Sequence, residues 1–365
     1  MSEAIWKADF LEVFYWEAVH QQTEKRYADK ALATWWTGAT PGVNYYRADM
    51  PAKHLPGKTV SLQTFDIQPD GMGGHWIPRQ EGKAVWMFPG NTTRALIMAE
   101  LKTHHDVPIF VEVDDNYTRQ PSIPQISPWL TTRDEGGDSS SYEIHRKIVP
   151  WVDGVICSTP YLAGVYERLN ENVHVCRNSV DPDDWSADPP HQEDGILRIG
   201  WAGSDSHIYD LNDIRPALDW AARQKDVEVV MFCHLAPAWA FEYRHLAWVD
   251  TMSEYREQLS QIDVMLCPLR PNEWANCKSD VKALEAAMAG ACSIVSRTEP
   301  FRPWWDGPAY VAETQKGFVK MVKHVVANRE EVRETARLAR AYVVEERSIE
   351  KSIWAWRYAL GSVEK

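Results

Sequence analysis

Several features that would mark a special class of protein are missing. None of the six cysteines forms a Cys-x-x-Cys pair, and His and Cys never gather at ligand spacing, which argues against a zinc site. Cys157, Cys176, Cys233, Cys267 and Cys292 lie in or beside apolar strand-like runs, and only Cys277 does not. That is the placement of buried, reduced thiols, so a cytoplasmic location is expected. No stretch approaches ~18 uninterrupted apolar residues, so no transmembrane segment is expected. The opening MSEAIWKADF lacks a basic segment followed by an apolar run and does not read as a signal peptide. Basic side chains are few, 39 against 52 acidic, for a net charge of −13. That balance argues against non-specific binding to duplex DNA or anionic membrane, although a local basic groove stays open. No repeat of solenoid period is present.

What remains is a chain of 365 residues, 44% hydrophobic and 25% charged, enough for two domains with ordinary cores. Tryptophan is abundant, with 18 residues. The pairs Trp35-Trp36 and Trp304-Trp305 and the neighbours Trp354 and Trp356 suit core packing, their commoner use, or a flat platform for the C–H face of a pyranose.

Two series of short apolar runs alternate with helix-period segments, the pattern of βαβ units and parallel sheets. TVSLQTF, AVWMFPG, PIFVEVDDN, DGVICST and NVHVCRNSV read as strands of the first series. Thr159-Pro160 makes a good helix start after the fourth. No strand is evident before the Gly-containing loop at Gly38–Gly42. The acidic, Pro-rich VDPDDWSADPPHQEDG reads as a linker. ILRIGWAGS, VEVVMFCH, HLAWVDT, DVMLCPLR and ACSIVSRT are the strands of the second series, and helix dominates after about Thr314. The expected division is 1–178, a linker at 179–195, 196–348, and a final helix over 349–365. In that helix Ile353, Trp354, Trp356, Ala359 and Leu360 form an apolar face. Ligands of doubly wound sheets bind outside the carboxyl ends of the strands.

Two clusters there carry chemistry. Gly200-Trp201-Ala202-Gly203-Ser204 ends a strand in a tight turn, where backbone N–H groups and a following helix N-terminus suit a phosphate; a turn without a ligand fits equally. Cys277-Lys278-Ser279-Asp280-Val281-Lys282-Ala283-Leu284-Glu285 enters a helix, with Ser279 expected as its N-cap and Gly290 as its stop. Lys278, Lys282 and Glu285 share a helix face, so they form a clamp for a nucleoside diphosphate or a solvated Lys/Glu surface.

LRIGWAGSDSHIYDL, followed later by DVMLCPL and NCKSDVKALEAAMAGACSIVS, resembles the C-terminal half of GT-B glycosyltransferases of the family 4 type. VDGVICSTPYLAGVYERLNENVHVCRNSVDPDDW resembles the end of their N-terminal half. The likeness spans about residues 85–300 and rests on the ordered combination. It implies a GT-B fold: two Rossmann-like α/β parallel-sheet domains facing across a cleft, with the last helix packed back on the first. It also implies a retaining, metal-independent sugar transfer to a hydroxyl from a nucleotide diphosphate sugar, UDP- or GDP-linked, with no permanently bound cofactor. Glu285 matches the ribose-binding glutamate. Lys278 resembles the diphosphate-binding cation, supported by Lys282 and Ser279, and Gly203 and Ser204 match the turn at the diphosphate.

The sequence departs from the family at three places. Cys277 stands where the first acid of the Glu-x7-Glu element belongs, leaving Glu273, Asn272 or Asn276 to hold sugar hydroxyls. Asp114 replaces the usual His, and the pair Asp114-Asp115 suits contact with the sugar or acceptor, a loop cap, or a metal as in GT-A enzymes. The basic residue past the first C-terminal strand is missing; Asp205, His207 and Asp210 stand there. On the acceptor side the candidates are Gly42, Arg47, Asp115 and His145, with an ordinary surface Arg and a non-functional His as the plain alternatives. The acceptor is a hydroxyl on a glycan, lipid, protein or modified base. A GT-B epimerase and a non-catalytic sugar-nucleotide- or glycan-binding module are the rival readings.

Overall fold

A computed structural model describes residues 33–37, 41–55, 57–61, 82–87, 95, 98–99, 101–103, 106–118, 141–186, 194–204 and 207–363. Gly38, Asp205 and most of the tryptophan-rich N-terminal stretch lie outside them. The chain separates into two compact units: residues 1–122, 127–176 and 353–365, and residues 123–126 and 177–352.

The first unit holds β1 (Ala33–Thr37), β2 (Gly57–Ser61), β3 (Lys83–Met87), β4 (Ile109–Val113), β5 (Gly154–Cys157) and β6 (Val173–Val175). They form one parallel sheet in the order β2-β1-β3-β4-β5-β6. Every residue of β1, β4 and β5 is buried, as parallel strands covered on both faces require. The order reverses between β1 and β3, the switch point of this sheet. β1 is the strand not evident from sequence. Its ATWWT core is aromatic and Thr-rich, which favours a strand, but no turn residue announces its start.

Trp36 stacks on Trp86 with ring centroids 4.5 Å apart, and Trp35 faces Trp356 at 6.3 Å. All four indoles are buried, as is Trp304 in the other unit, so they are core and not a sugar platform. Thr159 accepts from the Leu162 amide at 3.2 Å and caps the helix Pro160–Tyr166.

Residues Ile353–Lys365 group with this unit although the chain reaches them last. Trp356, Ala359 and Leu360 pack among Ala33, Trp35, Val85 and Phe110. Lys83 Nζ donates to the carbonyls of Leu360 and Val363.

The second unit holds β7 (Leu197–Ala202), β8 (Val227–Cys233), β9 (Arg244–Ala247), β10 (Val264–Cys267), β11 (Cys292–Ser296) and β12 (Tyr310–Ala312). This sheet is also parallel, in the order β12-β11-β10-β7-β8-β9. That is the doubly wound dinucleotide-fold order, with its switch point between β7 and β10. After β7 comes helix α1 (Ile208–Ala221), whose Ile214, Leu218 and Ala221 are fully buried. After β9 comes α2 (Met252–Leu259), capped by Thr251. After β10 come α3 (Glu273–Cys277) and α4 (Val281–Met288). α3 lies where the sequence suggested only loop; Asn272 caps it, accepting from the Ala275 amide at 2.8 Å. Gly290, with φ +85°, ends the turn after α4 in the left-handed conformation glycine favours.

The expected linker is packed structure over its first half. Val180 is fully buried, its N–H donates to Arg347 O at 3.0 Å and its carbonyl accepts from Ile349 at 2.7 Å. Trp185 joins the same core, because its apolar surface outweighs the polar residues around it.

Candidate functional site

The carboxyl ends of β7 and β10, at the switch point of the second sheet, gather the most chemistry. β7 ends in Trp201-Ala202, and the chain turns at Gly203-Ser204 toward α1. A Cβ on Gly203 would meet Lys282 Nζ and come within 2.5 Å of the Trp201 ring. Glycine is needed here because the lysine crosses beneath the turn. Lys282, on α4, donates to the Ala202 carbonyl and lies 4.9 Å from the Trp201 ring centroid. Burial lowers its pKa, and the nearby Glu285 carboxylate opposes that shift. An ammonium carries three donors, so the bond to Ala202 leaves two N–H groups for an anion.

Glu285, one turn on, is buried and accepts from the Tyr255 hydroxyl at 2.9 Å. Burial first, then the Glu285 charge, hold Tyr255 well above its usual pKa, so the phenol keeps its proton. Lys278, half-buried at the C-cap of α3, has its ammonium 5.8 Å from the Trp274 ring centroid. His207 precedes α1 and is 8% exposed. Its Nδ1 lies 2.9 Å from Asp210 Oδ2, and Asp210 Oδ1 accepts from the Arg270 amide at 2.9 Å. Burial first, and then the Lys282 charge, push the His207 pKa down to about 4.

The other expected site residues fall into two groups. Ser279 is not the N-cap of α4; Asp280 stands there, bound to Arg347 at 2.6 and 2.9 Å and to Trp304 Nε1 at 2.9 Å. The Ser279 hydroxyl instead accepts from Asn178 Nδ2 at 2.8 Å. The Asp280 carboxylate makes no capping bond to the helix; it neutralises the buried guanidinium of Arg347 instead. Glu273 is exposed in the first turn of α3, and Cys277 is fully buried at its end. Cys277 therefore fills core.

In the first unit Arg47 is not placed to meet a ligand. It is 1% exposed, pairs with Glu112 at 2.6 Å, donates to Cys176 O at 2.6 Å and stacks 5.0 Å over Trp356. A π-helical turn at Tyr45–Asp49 turns it inward, where a planar guanidinium can meet a carboxylate, a carbonyl and a ring at once. His145 is likewise core: fully buried, 2.8 Å from the Tyr166 hydroxyl, with burial lowering its pKa to about 3. Asp114 and Asp115 follow β4, both half-buried, and Asp114 accepts from the Tyr117 hydroxyl at 2.8 Å. Gly42 lies in the short helix Pro41–Asn44, where a Cβ would meet nothing within 4 Å. No group of three or more His, Cys, Asp or Glu at metal-binding spacing occurs among the described residues. Tyr255 and Trp274 were not singled out by sequence; one lies 30 residues before the carboxylate it meets and the other on an unanticipated helix.

Residues 214–355 match the family described as "Glycosyl transferase-like". Among solved structures, the chain is similar to Alr3699/HepE from Anabaena, crystallised in complex with UDP and glucose: TM-score 0.61, 12% identity, 92% of this chain and 100% of that one. It is also similar to sucrose-phosphate synthase from Thermosynechococcus elongatus, at TM-score 0.53 and 12% identity over 77% of this chain and 74% of the other. The chain has the fold of these structures, GT-B, and its second unit carries the glycosyl transferase-like match. None of the curated proteins matches its sequence. No helix among the described residues is long and apolar enough to cross a membrane.

Proposed function

We propose that the protein transfers a glycosyl unit from a nucleotide diphosphate sugar, UDP- or GDP-linked, to an acceptor hydroxyl, with retention and without a metal ion. The observation that carries this is the cluster at the ends of β7 and β10, where Lys282, reaching the Ala202 carbonyl, stands beside the Gly203 turn with Glu285 one turn on. Lys278 and Lys282 meet the charge that grows on the departing diphosphate, and Glu285 accepts from the ribose hydroxyls. Gly203 and Ser204 bring backbone close to the phosphates. Asp114, Asp115 and Glu273 are the acids left to contact the sugar or acceptor. The solved relative with UDP and glucose supports a nucleotide-sugar donor. Six cysteines without a disulfide suit a reducing cytoplasm.

Two results test this. Glu285→Gln weakens UDP or GDP binding by about 1.5–3 kcal/mol, the worth of hydrogen bonds to a charged group, with the fold intact by circular dichroism. Unchanged nucleotide affinity would remove Glu285 from the site. Transfer from a radiolabelled donor persists in EDTA; if chelation abolishes it and Mn²⁺ or Mg²⁺ restores it, Asp114-Asp115 becomes a metal site and the mechanism changes. The same assay separates transfer from donor isomerisation and from binding without turnover.

A further inference from the structure

In a site that must hold a diphosphate, His207 is fixed at one ring nitrogen and open at the other. Nδ1 is held by Asp210, and Nε2 makes no hydrogen bond among the described residues. Asp210 is itself positioned by the Arg270 amide, and Arg270 by Asp213 at 2.6 Å through each of two nitrogens. The carboxylate is therefore pre-set against the imidazole. Around the ring stand Trp201 of β7, with centroids 6.2 Å apart, and the charges of Lys278, Lys282 and Asp210. The N-terminus of α1 begins at the next residue.

These charges are unbalanced when no anion is bound. Burial disfavours a proton on the ring most, the Lys282 and Lys278 charges add to that penalty, and only the Asp210 carboxylate favours it. A bound diphosphate reverses the sum: it screens both lysines and brings negative charge to the open nitrogen. We infer that His207 is a proton-gated ligand of the diphosphate, neutral in the empty site and taking up one proton on Nε2 when a nucleoside diphosphate binds. This rests on the nucleotide site proposed above. The proton comes from solvent, Asp210 stabilises the resulting imidazolium through Nδ1–H, and no bond other than N–H forms. His207 then supplies a cation only while the leaving group is present.

Calorimetric titration of the full chain with UDP, and separately with GDP, in buffers of different ionisation enthalpy counts the protons taken up. A phosphate's own second ionisation lies near pH 6, so the difference between wild type and His207→Gln is the quantity read. The expected difference approaches one proton at pH 7. Wild-type affinity should rise by up to about tenfold per pH unit from pH 8 to pH 7, and this slope should be lost in His207→Gln. Asp210→Asn, which removes the counter-charge, reduces the uptake while nucleotide still binds. Binding with equal proton uptake in wild type and His207→Gln would overturn the inference and leave the nucleotide site standing. If neither nucleotide binds the wild-type chain, the site itself is wrong and the inference falls with it.

Discussion

Lys282→Met lowers turnover about 100- to 1,000-fold, the usual loss on removing one pre-set group that stabilises developing charge. The side chain reaches the Ala202 carbonyl under a glycine turn that a Cβ would obstruct, so its ammonium is placed before any substrate arrives. A group fixed in advance needs no reorganisation as the glycosidic bond breaks, and its effect appears in kcat more than in KM. Methionine keeps most of the aliphatic volume over Trp201 and removes the charge. Lys278→Ala moves turnover the same way, by a smaller factor, because its half-buried ammonium lies out over Trp274. Steady-state kinetics on a competent donor read both numbers. A loss confined to KM would make these lysines docking groups only.

Trp356→Ala destabilises the first unit by about 3–5 kcal/mol, the range for emptying a buried large aromatic side chain. The indole is 1% exposed, faces Trp35 and carries the Arg47 guanidinium over its ring. Truncation leaves a cavity and strips a cation–π contact from an arginine already committed to Glu112. Trp354→Ala, two residues earlier on the same helix but 66% exposed, is the control and should fall within about 0.5 kcal/mol of wild type. Scanning calorimetry resolves the outcome, since two compact units can melt separately. A Trp356→Ala melt matching that of Trp354→Ala would contradict this account of the terminal helix.

The parallel sheets were legible because buried strands read as short apolar runs and turns carry Gly, Pro and Asp. Lys282 and Glu285 share one turn of α4, as their spacing suggests, whereas Lys278 lies before that helix, at the C-cap of α3. What stayed hidden depended on contacts between distant residues. Arg47 reads as a surface side chain until Glu112, 65 residues away, is seen to receive it. Asp280, not Ser279, stands at the N-cap position of α4, and its carboxylate is taken by Arg347, which no local rule connects to it. Tyr255 shows no motif of its own, and β1 lacked the turn chemistry that marked the other strands. His207 stood in the sequence only as a missing basic residue; its tie to Asp210 is what makes it a candidate ligand.

The most direct test of the nucleotide site is a thermal-shift measurement on the full chain with UDP and GDP, repeated on a Lys282→Met/Glu285→Gln double variant. A nucleotide at about 100 times its dissociation constant stabilises the unit that holds it by about 2.7 kcal/mol, a rise of several degrees in Tm for a domain of this size. The account predicts that rise for wild type with at least one nucleotide and its loss in the double variant. No shift with either nucleotide, or an equal shift in the double variant, would contradict it.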